Sequence, residues 1–230
     1  MVVERATRGQ ATAVLCSAGL DSAVLVALEA RTGPVVPVYV AVGFAWEAAE
    51  QRALERLFAA GAYGRQVDRP VTLALDMRDV YAPSHWAVRG DPPGYHTPDE
   101  DVYLTGRNVV LLGKAGVFCA TRGLHRLAIG PLAGNPFPDA TPEFFRAMAS
   151  ALSLGLGHDI EIVAPLQAMH KDEVIALGRE LGVPLELSLS CMNPSDDLHC
   201  GRCSKCRERH DAFVALGVDD PTSYAAPRPT

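Results

Sequence analysis

Short apolar runs alternate with longer amphipathic stretches through the first third of the chain. The runs at 12–16, 35–41 and 71–76 predict strands, and the first, a short apolar run bounded by small residues, suits a buried one. Helices are predicted between these runs at 22–31 and 46–60, where Ala, Leu, Glu and Arg are frequent. Strands that alternate with helices usually pair in parallel through crossover connections, so the pattern predicts an α/β fold with a parallel sheet.

The alternation stops at 78–104, where Pro and Gly interrupt a polar stretch that we interpret as a long, functional loop. Beyond it, Thr105 is predicted to cap a helix that runs to 121. Thr141-Pro142-Glu143 marks the start of another helix, with a capping hydroxyl, a proline in the first turn and an acid near the positive helix end. The remaining predicted elements are strands at 127–129 and 160–163, a Gly/Pro-rich loop at 130–139 and a helix at 170–181.

Composition limits the classes of partner. The chain has 230 residues, which fits one large domain or one domain with a small appendage. A net charge of −6 disfavours a broad phosphate-binding face, so no stable nucleic-acid partner is expected, whereas a small anionic ligand remains compatible. No apolar run is long enough for a membrane span, and 1–8 lacks the apolar stretch of a signal peptide, which predicts a cytoplasmic protein. Composition allows a homodimer without requiring one.

The first motif that can bind a ligand is Ser17-Ala18-Gly19-Leu20-Asp21-Ser22, placed directly after a predicted strand and before a helix. Small residues let the backbone turn tightly and approach a ligand. The free N–H groups and the dipole at a helix start favour an anion, so a phosphate or pyrophosphate is the expected occupant. An ordinary strand-to-helix turn is the alternative interpretation.

The second motif is Cys191-x8-Cys200-x2-Cys203-x2-Cys206. Four thiolates at this spacing can complete a tetrahedral zinc shell, and a shell filled by protein is structural. Two disulfides or an iron–sulfur cluster are the alternatives, although disulfides need an oxidising compartment that nothing in the sequence suggests. His199 is interpreted as a neighbour of this site, and the other two cysteines, Cys16 and Cys119, lie in apolar runs typical of a core.

Both motifs resemble segments of known families. The 17–22 hexapeptide resembles the Ser-Gly-Gly-X-Asp-Ser loop of the N-type ATP pyrophosphatases, with Ala18 where that family usually has Gly. An alanine there is tolerable if its φ is negative and costly if its φ is positive. The segments at 189–191 and 199–213 are similar to the C-terminal zinc segment of the 7-cyano-7-deazaguanine synthase family. Further segments that resemble the same family are Gly106-Arg107-Asn108, Phe137-Pro138-Asp139, Pro142-Glu143-Phe144, Pro165-Leu166, Lys171-Asp172-Glu173-Val174-Ile175 and Asp220-Pro221-Thr222-Ser223-Tyr224.

The resemblance spans almost the whole chain and implies a fold and a reaction. The fold is a doubly wound, Rossmann-like domain of the adenine nucleotide alpha hydrolase type at 1–185, followed by a zinc-binding helical segment at 186–230. The reaction is the ATP-dependent conversion of 7-carboxy-7-deazaguanine and ammonia to 7-cyano-7-deazaguanine, through an adenylated carboxylate and an amide. The implied cofactors are ATP, Mg²⁺ and one structural Zn²⁺.

The resemblance also implies roles for individual residues. Ser17, Ala18, Gly19, Leu20, Asp21 and Ser22 would hold pyrophosphate; Asp21, Arg107 and Lys171 would act in catalysis; Trp46, Asp139 and Glu143 would contact the substrate; Cys191, Cys200, Cys203 and Cys206 would bind the metal. Without the family match, Arg107 and Lys171 would be interpreted as solvated cations. For Glu143, helix-terminal electrostatics is the favoured interpretation over a substrate contact.

One segment departs from the family pattern. The chain has Ala41-Val42-Gly43-Phe44-Ala45-Trp46-Glu47 where the family typically has Asp-Tyr-Gly-Gln-X-His. Two alternatives therefore stay open: a related adenylating enzyme acting on another carboxylate or a tRNA base, and a non-catalytic, zinc-stabilised nucleotide-binding protein.

Overall fold

The computed structural model of the chain describes residues 11–227 and residue 229. Residues 1–8, on which the expected lack of a signal peptide rests, lie outside this part. The strands are β1 (Thr12–Leu15), β2 (Val35–Ala41), β3 (Val71–Ala74), β4 (Arg126–Ala128) and β5 (Glu161–Val163). The α-helices are α1 (Leu20–Glu29), α2 (Glu47–Ala59), α3 (Trp86–Arg89), α4 (Arg107–Arg122), α5 (Pro142–Leu156), α6 (Lys171–Glu180) and α7 (Ser204–Leu216). None of the described helices is both long enough and apolar enough to cross a membrane.

The five strands form one parallel sheet in the order β3-β2-β1-β4-β5. From β1 the chain adds β2 and β3 on one side and then returns to place β4 on the other side. This reversal lies between β1 and β4, and in open α/β sheets ligands bind at the carboxyl ends of the strands at such a point. The predicted parallel α/β architecture is confirmed.

Helices cover both faces of the sheet. Alternate residues of β1 face opposite sides, so Val14 packs in one core cluster and Ala13 in the other. One cluster contains side chains of α1, α2, α6 and α7, and the other contains side chains of α4 and α5. The predicted core cysteines are both buried, Cys16 in the first cluster and Cys119 in the second.

Two predicted helix starts were wrong. Helix α1 begins at Leu20, two residues earlier than expected, so half of the 17–22 motif is the first turn of the helix. Helix α4 begins at Arg107, and its N-cap is Gly106 at φ 76°, not Thr105. A left-handed glycine turns the chain sharply into α4, which moves Thr105 out of capping position. The predicted Thr141 cap is confirmed, because its hydroxyl accepts a hydrogen bond from Phe144 N at 3.2 Å.

The 78–104 segment is more ordered than the expected loop. It contains α3 and a 3-10 helix at Asp99–Val102. Arg207 of α7 holds it in place, since its Nη1 donates to both Tyr95 O and Thr97 O at 2.8 Å. Its Nη2 pairs with Asp99 Oδ1 at 2.8 Å. The segment is therefore held against the first turn of α7.

Candidate functional site

A cleft of about 320 Å³ opens at the carboxyl ends of β1, β2 and β4. Its walls come from the 17–22 motif, the start of α2, the start of α4 and the C-terminal cysteine segment. Of the residues proposed from sequence, the lining includes Ser17, Gly19, Leu20, Asp21, Ser22, Trp46, Arg107, Asp139, Lys171 and Cys191. Residues that are far apart in sequence therefore meet where the sheet topology predicts a ligand site.

The 17–22 motif forms a closed turn held by its own polar groups. Ser22 Oγ accepts a hydrogen bond from Ser17 N at 3.3 Å and donates one to Gly19 O at 3.0 Å. A Cβ at Gly19 would lie 3.4 Å from Ser17 Oγ, which is an ordinary van der Waals distance. A backbone turn leading into a helix N-terminus suits the binding of an anion.

Ala18 adopts the conformation that a glycine would occupy without strain. Its φ is 59°, in the left-handed region, and its side chain is fully buried. Its carbonyl oxygen accepts a hydrogen bond from Leu189 N at 2.8 Å, which fixes this peptide against the cysteine segment. The costly alternative for Ala18 thus applies, because a left-handed alanine is less favourable than glycine by roughly 1–2 kcal/mol.

Four alternating charges connect the motif to the C-terminal helix. Lys171 Nζ lies 2.6 Å from Asp21 Oδ2 and 3.0 Å from Glu208 Oε1, and Glu208 also pairs with Lys205. Burial lowers the pKa of Lys171, but the charges of Asp21 and Glu208 outweigh that effect and raise it overall. Burial likewise raises the pKa of Glu208, and the Lys171 and Lys205 charges outweigh it and lower that pKa. Lys171 and Glu208 are therefore both charged at neutral pH.

Two buried polar atoms beside this network have no partner. Within the described part of the chain, Asp21 Oδ1 and Arg107 Nε make no hydrogen bond. An unpaired buried donor or acceptor is costly, so each is suited to a ligand that enters the cleft. A carboxylate oxygen suits a magnesium ion held on phosphate oxygens, and a guanidinium suits the phosphate oxygens themselves. The residues present thus fit a magnesium-bound nucleotide.

The opposite wall is aromatic and acidic. Trp46 is buried and stacks on Trp86 with ring centroids 5.7 Å apart. Its Nε1 donates to Glu50 Oε1 at 3.2 Å, and Tyr39 Oη donates to Glu50 Oε2 at 2.9 Å. Glu47 turns back to accept from Val42 N and from Gly43 N. The 41–47 segment, whose sequence differs from the family pattern, is therefore a folded wall of the cleft.

Asp139 and Glu143, both proposed as substrate contacts, lie in different environments. Asp139 is buried in the cleft wall, where its Oδ2 accepts from Asn108 N at 3.0 Å. It therefore caps α4 and positions Arg107, which precedes Asn108. Glu143 is three-quarters exposed and pairs with Arg146 at 2.9 Å on the surface of α5. The structure does not bring Glu143 to the cleft.

The four cysteines form a compact cluster beside the same cleft. Their sulfur atoms all lie within 4.8 Å of one another, and three pairs are separated by 3.5, 3.8 and 4.0 Å. Tetrahedral zinc at about 2.3 Å from each sulfur requires sulfur atoms about 3.8 Å apart, so the cluster fits this ion. A disulfide needs about 2.05 Å, and all six cysteines are free.

Groups around the cluster favour thiolates. Cys191 Sγ accepts from Asn193 N at 3.3 Å and from Cys200 N at 3.2 Å, and Cys200 Sγ accepts from Arg202 N at 3.3 Å. His199 is a neighbour, as expected, because its Nε2 accepts from Ser190 N at 3.0 Å. The four sulfurs and their N–H donors therefore suit a metal ion.

Comparison with known proteins assigns the family. A family model described as "Queuosine biosynthesis protein QueC" matches residues 11–217, which is most of the chain. The chain belongs to the QueC family. A relative named 7-cyano-7-deazaguanine synthase from Methanopyrus kandleri is 36% identical, over 93% of this chain and 98% of the relative. Relatives of the same name are 33% identical in Methanothrix thermoacetophila, over 91% and 96%, and 34% identical in Koribacter versatilis, over 98% and 97%.

Solved structures are more distant. A predicted subunit of a tRNA methyltransferase from Methanocaldococcus jannaschii has a TM-score of 0.47 at 15% identity and covers 94% of this chain and 92% of that chain. A 4-thiouridine synthetase in complex with RNA and bound ATP has the same TM-score and identity, with coverage of 93% and 47%. The assignment to the QueC family rests on the sequence matches.

Several residues of this QueC family site were not proposed from the sequence. Tyr39, Glu50, Lys205 and Glu208 line the cleft, and Asn108 fixes Asp139. Glu50 had a usable signal, because it falls among Ala49, Ala53 and Leu57 on the buried face of α2. A charged residue on an apolar helix face is rarely buried without a reason. Glu208 had no such signal, since α7 is polar on much of its surface.

Proposed function

We propose that the protein is an ATP-dependent C–N ligase that converts 7-carboxy-7-deazaguanine and ammonia to 7-cyano-7-deazaguanine. Membership of the QueC family and the names of the relatives supply the reaction. The observation that carries the proposal is that two buried polar atoms without hydrogen-bond partners, Asp21 Oδ1 and Arg107 Nε, belong to residues of the same cleft, beside a turn suited to phosphate. The cleft therefore offers a triphosphate one metal-binding oxygen and one guanidinium N–H that the protein itself does not use.

The chemistry needs activation because a carboxylate repels nucleophiles. The substrate carboxylate attacks the α-phosphorus of ATP, which releases pyrophosphate and forms an acyl adenylate. Ammonia displaces AMP from that adenylate and leaves an amide. A second ATP adenylates the amide oxygen with release of pyrophosphate and one N–H proton, and loss of AMP and the other N–H proton gives the nitrile. Each step exchanges one leaving group, so no covalent protein intermediate is required.

Residues of the chain contribute mainly position and charge. Backbone N–H groups of Gly19 and Leu20 would bind the departing pyrophosphate, and Ser22 holds the turn closed by accepting from Ser17 N. Arg107 binds phosphate oxygens through its planar fork. Lys171 supplies a fixed positive charge beside Asp21, which stabilises the oxygens on which negative charge grows. Orientation of the two reactants in a shared cleft accounts for much of the expected acceleration.

Two metals complete the proposal. Asp21 would hold Mg²⁺ through Oδ1, and that ion neutralises phosphate charge when bound. Cys191, Cys200, Cys203 and Cys206 would hold Zn²⁺, which stabilises the folded C-terminal segment because all its ligand positions belong to protein. In this arrangement residues 1–185 carry the nucleotide site, and residues 186–230 carry the metal and one wall of the cleft.

Nitrogen source and assembly belong to the same proposal. Free ammonia is the nitrogen donor that the chain is proposed to use, and ammonium titration of the product rate tests it. A homodimer is the proposed assembly, which light scattering of the purified protein tests. A cytoplasmic location follows from the proposed biosynthetic role.

The deciding experiment measures AMP release from magnesium ATP and ammonium, with and without 7-carboxy-7-deazaguanine, together with mass spectrometry of the base. Substrate-dependent AMP with a nitrile product is the expected result. AMP release only with another carboxylate or with a tRNA would replace the substrate and keep adenylation. No AMP with any acceptor, from a folded and metal-loaded sample, would favour a nucleotide-binding protein without turnover.

Matched variants test the site in that assay. Asp21→Asn keeps the size of the side chain but removes the charge that Oδ1 offers to magnesium, so AMP release should fall by about two orders of magnitude or more. Asp172→Asn, on α6 beside Lys171, should leave the rate within about twofold, as expected for a surface change. Equal rates in Asp21→Asn and the wild type would contradict the proposed phosphate site.

A further inference from the structure

Glu50 is a buried carboxylate in the cleft wall without a cationic partner. Its side chain belongs to α2, and the residue is 8% exposed. Trp46 Nε1 donates to Oε1 and Tyr39 Oη donates to Oε2, so each oxygen accepts one hydrogen bond from the protein. In the described part of the chain, no Lys, Arg or His lies within ion-pair distance of it. The two donors fix the orientation of the carboxylate, and its charge is opposed only by Arg107, which lies beyond ion-pair distance.

The surroundings make this arrangement costly for the free protein. Burial raises the pKa of Glu50 to about 7, and the nearby charge of Glu47 adds to the rise. Arg107 and the hydrogen bonds from Tyr39 and Trp46 oppose it. The Cys16 thiol faces the same space and is itself kept neutral, because burial raises its pKa to about 11. A buried acid that packing does not require is a candidate for ligand recognition.

The hydrogen-bonding capacity left on Glu50 defines the ligand. An ionised carboxylate accepts at about four lone-pair positions, and two of these are used by Trp46 and Tyr39. One lone pair remains on each oxygen, which matches a ligand that presents two parallel N–H donors. The N1–H and 2-amino groups of a guanine-type ring are such a pair. A ribose, by comparison, presents two hydroxyl groups that can rotate.

We propose that Glu50 binds the N1–H and 2-amino donors of the substrate base and sets the specificity of the site for a guanine-type ring. This inference rests on the proposed function and assigns the base-recognition part of it. Trp46 and Tyr39 act as positioning residues, because they hold the carboxylate and their rings line the same wall. Asp139, the acid proposed from sequence for this purpose, is already engaged in capping α4 through Asn108 N.

The test compares two bases on two proteins. The bases are 7-carboxy-7-deazaguanine and its analogue without the 2-amino group, each with saturating magnesium ATP and ammonium. The proteins are the wild type and Glu50→Gln, with Glu55→Gln on the exposed side of α2 as the matched control. The readouts are kcat/KM for each base and, separately, KM for ATP.

The wild type is expected to prefer the 2-amino base by at least about a hundredfold, because a site built to accept hydrogen bonds rejects a ligand that lacks the donors. Glu50→Gln should reduce that preference to less than about tenfold, mainly by raising KM for the amino base, with KM for ATP within about twofold. Glu55→Gln should behave as the wild type. The wild-type preference is informative even if Glu50→Gln fails to fold, since it needs no variant.

Three results would overturn the assignment. One is a wild type that accepts both bases equally. Another is Glu50→Gln with an unchanged preference. The third is a rise in KM for ATP alone, which would make Glu50 a ribose contact. If the wild type releases no AMP, the proposed function fails, but calorimetric binding of the two bases still tests the role of Glu50. Binding of the amino base that is at least about tenfold weaker in Glu50→Gln than in the wild type would support this role. Equal binding by the two proteins would overturn it.

Discussion

Lys171 and Glu208 form an ion pair, with Nζ and Oε1 3.0 Å apart, that joins α6 to the cysteine-bearing helix α7. The same ammonium lies 2.6 Å from Asp21 Oδ2 in the phosphate-type turn. A single cation thus contacts both the element proposed to hold pyrophosphate and the helix that contains Cys206 and is capped by Cys203. Leu189 N, bonded to Ala18 O at 2.8 Å, makes a second link between the same two regions.

Removing the acid of this pair should destabilise the fold. In Glu208→Gln the largely buried ammonium groups of Lys171 and Lys205 lose their shared counter-charge. The free energy of unfolding should fall by about 2–4 kcal/mol, because breaking a buried pair leaves uncompensated charge. Glu180→Gln breaks the exposed pair with Arg31 and should change it by less than about 0.5 kcal/mol. Urea denaturation measures both, and equal effects would show that the Glu208 network does not support the fold.

The strained alanine gives a prediction of opposite sign. Ala18→Gly should raise the free energy of unfolding by about 0.5–1 kcal/mol, because relief of the left-handed strain exceeds the added chain entropy. Ala27→Gly, in the interior of α1, should lower it by about 1 kcal/mol. Chemical denaturation of the two variants gives the comparison. A loss of stability in Ala18→Gly would mean that the buried methyl group contributes more packing energy than its backbone conformation costs.

Arg107 should act on nucleotide affinity with little effect on the fold. Because its Nε is unpaired in the described structure, Arg107→Gln removes no internal hydrogen bond of that nitrogen. Loss of a charged contact with phosphate should weaken ATP binding about 10- to 100-fold. Arg122→Gln, at the exposed end of the same helix, should leave binding unchanged. Calorimetry with magnesium ATP checks both, and wild-type affinity in Arg107→Gln would exclude a phosphate contact.

Metal removal should unfold the C-terminal segment. One ion per chain is expected by elemental analysis, and a strong chelator should lower the melting temperature, because the binding free energy of a structural ion is part of the folding free energy. Substitution with cobalt should give the visible spectrum of a tetrahedral four-thiolate site. Iron with acid-labile sulfide would instead identify a cluster. A metal-free protein with an unchanged melting temperature would exclude a structural ion.

Glu50 should make stability depend on pH. Its folded pKa of about 7 exceeds its ordinary value of 4.5, so between these values the folded protein binds a proton that the unfolded chain has lost. Its contribution is therefore full below pH 4.5 and is lost as pH rises through 7, a change on the order of 3 kcal/mol. Glu50→Gln should gain stability relative to the wild type by this amount between pH 4.5 and 8. A pH-independent difference in urea denaturation would mean that Glu50 does not titrate in this range.

The sequence predicted β1 and β2 well because burial on both faces leaves an unambiguous apolar run. Strand β2 was predicted with its observed bounds, 35–41, and β1 within one residue. Helix starts were less certain, since a cap depends on backbone angles that composition does not determine. At α4, a left-handed Gly106 and the distant carboxylate of Asp139 replace the local cap expected from Thr105.

The site divided in the same way. Motif residues such as Asp21, Lys171 and the four cysteines could be found because their order along the chain resembles a family. Glu208 and Tyr39 could not be found in this way, because Glu208 meets Lys171, and Tyr39 meets Glu50, only in the folded protein. Glu143 shows the reverse, because a motif position can lie on the surface when its helix turns it outward.

The bonds from Arg207 to the carbonyls of Tyr95 and Thr97 have a consequence for how this chain can be divided. A protein shortened at residue 185 would lose both the anchor of the 78–104 segment and the backbone donor of Leu189. The phosphate turn would keep its residues but not its neighbours. Transfer of this nucleotide site to another scaffold therefore requires that the cysteine segment be transferred with it.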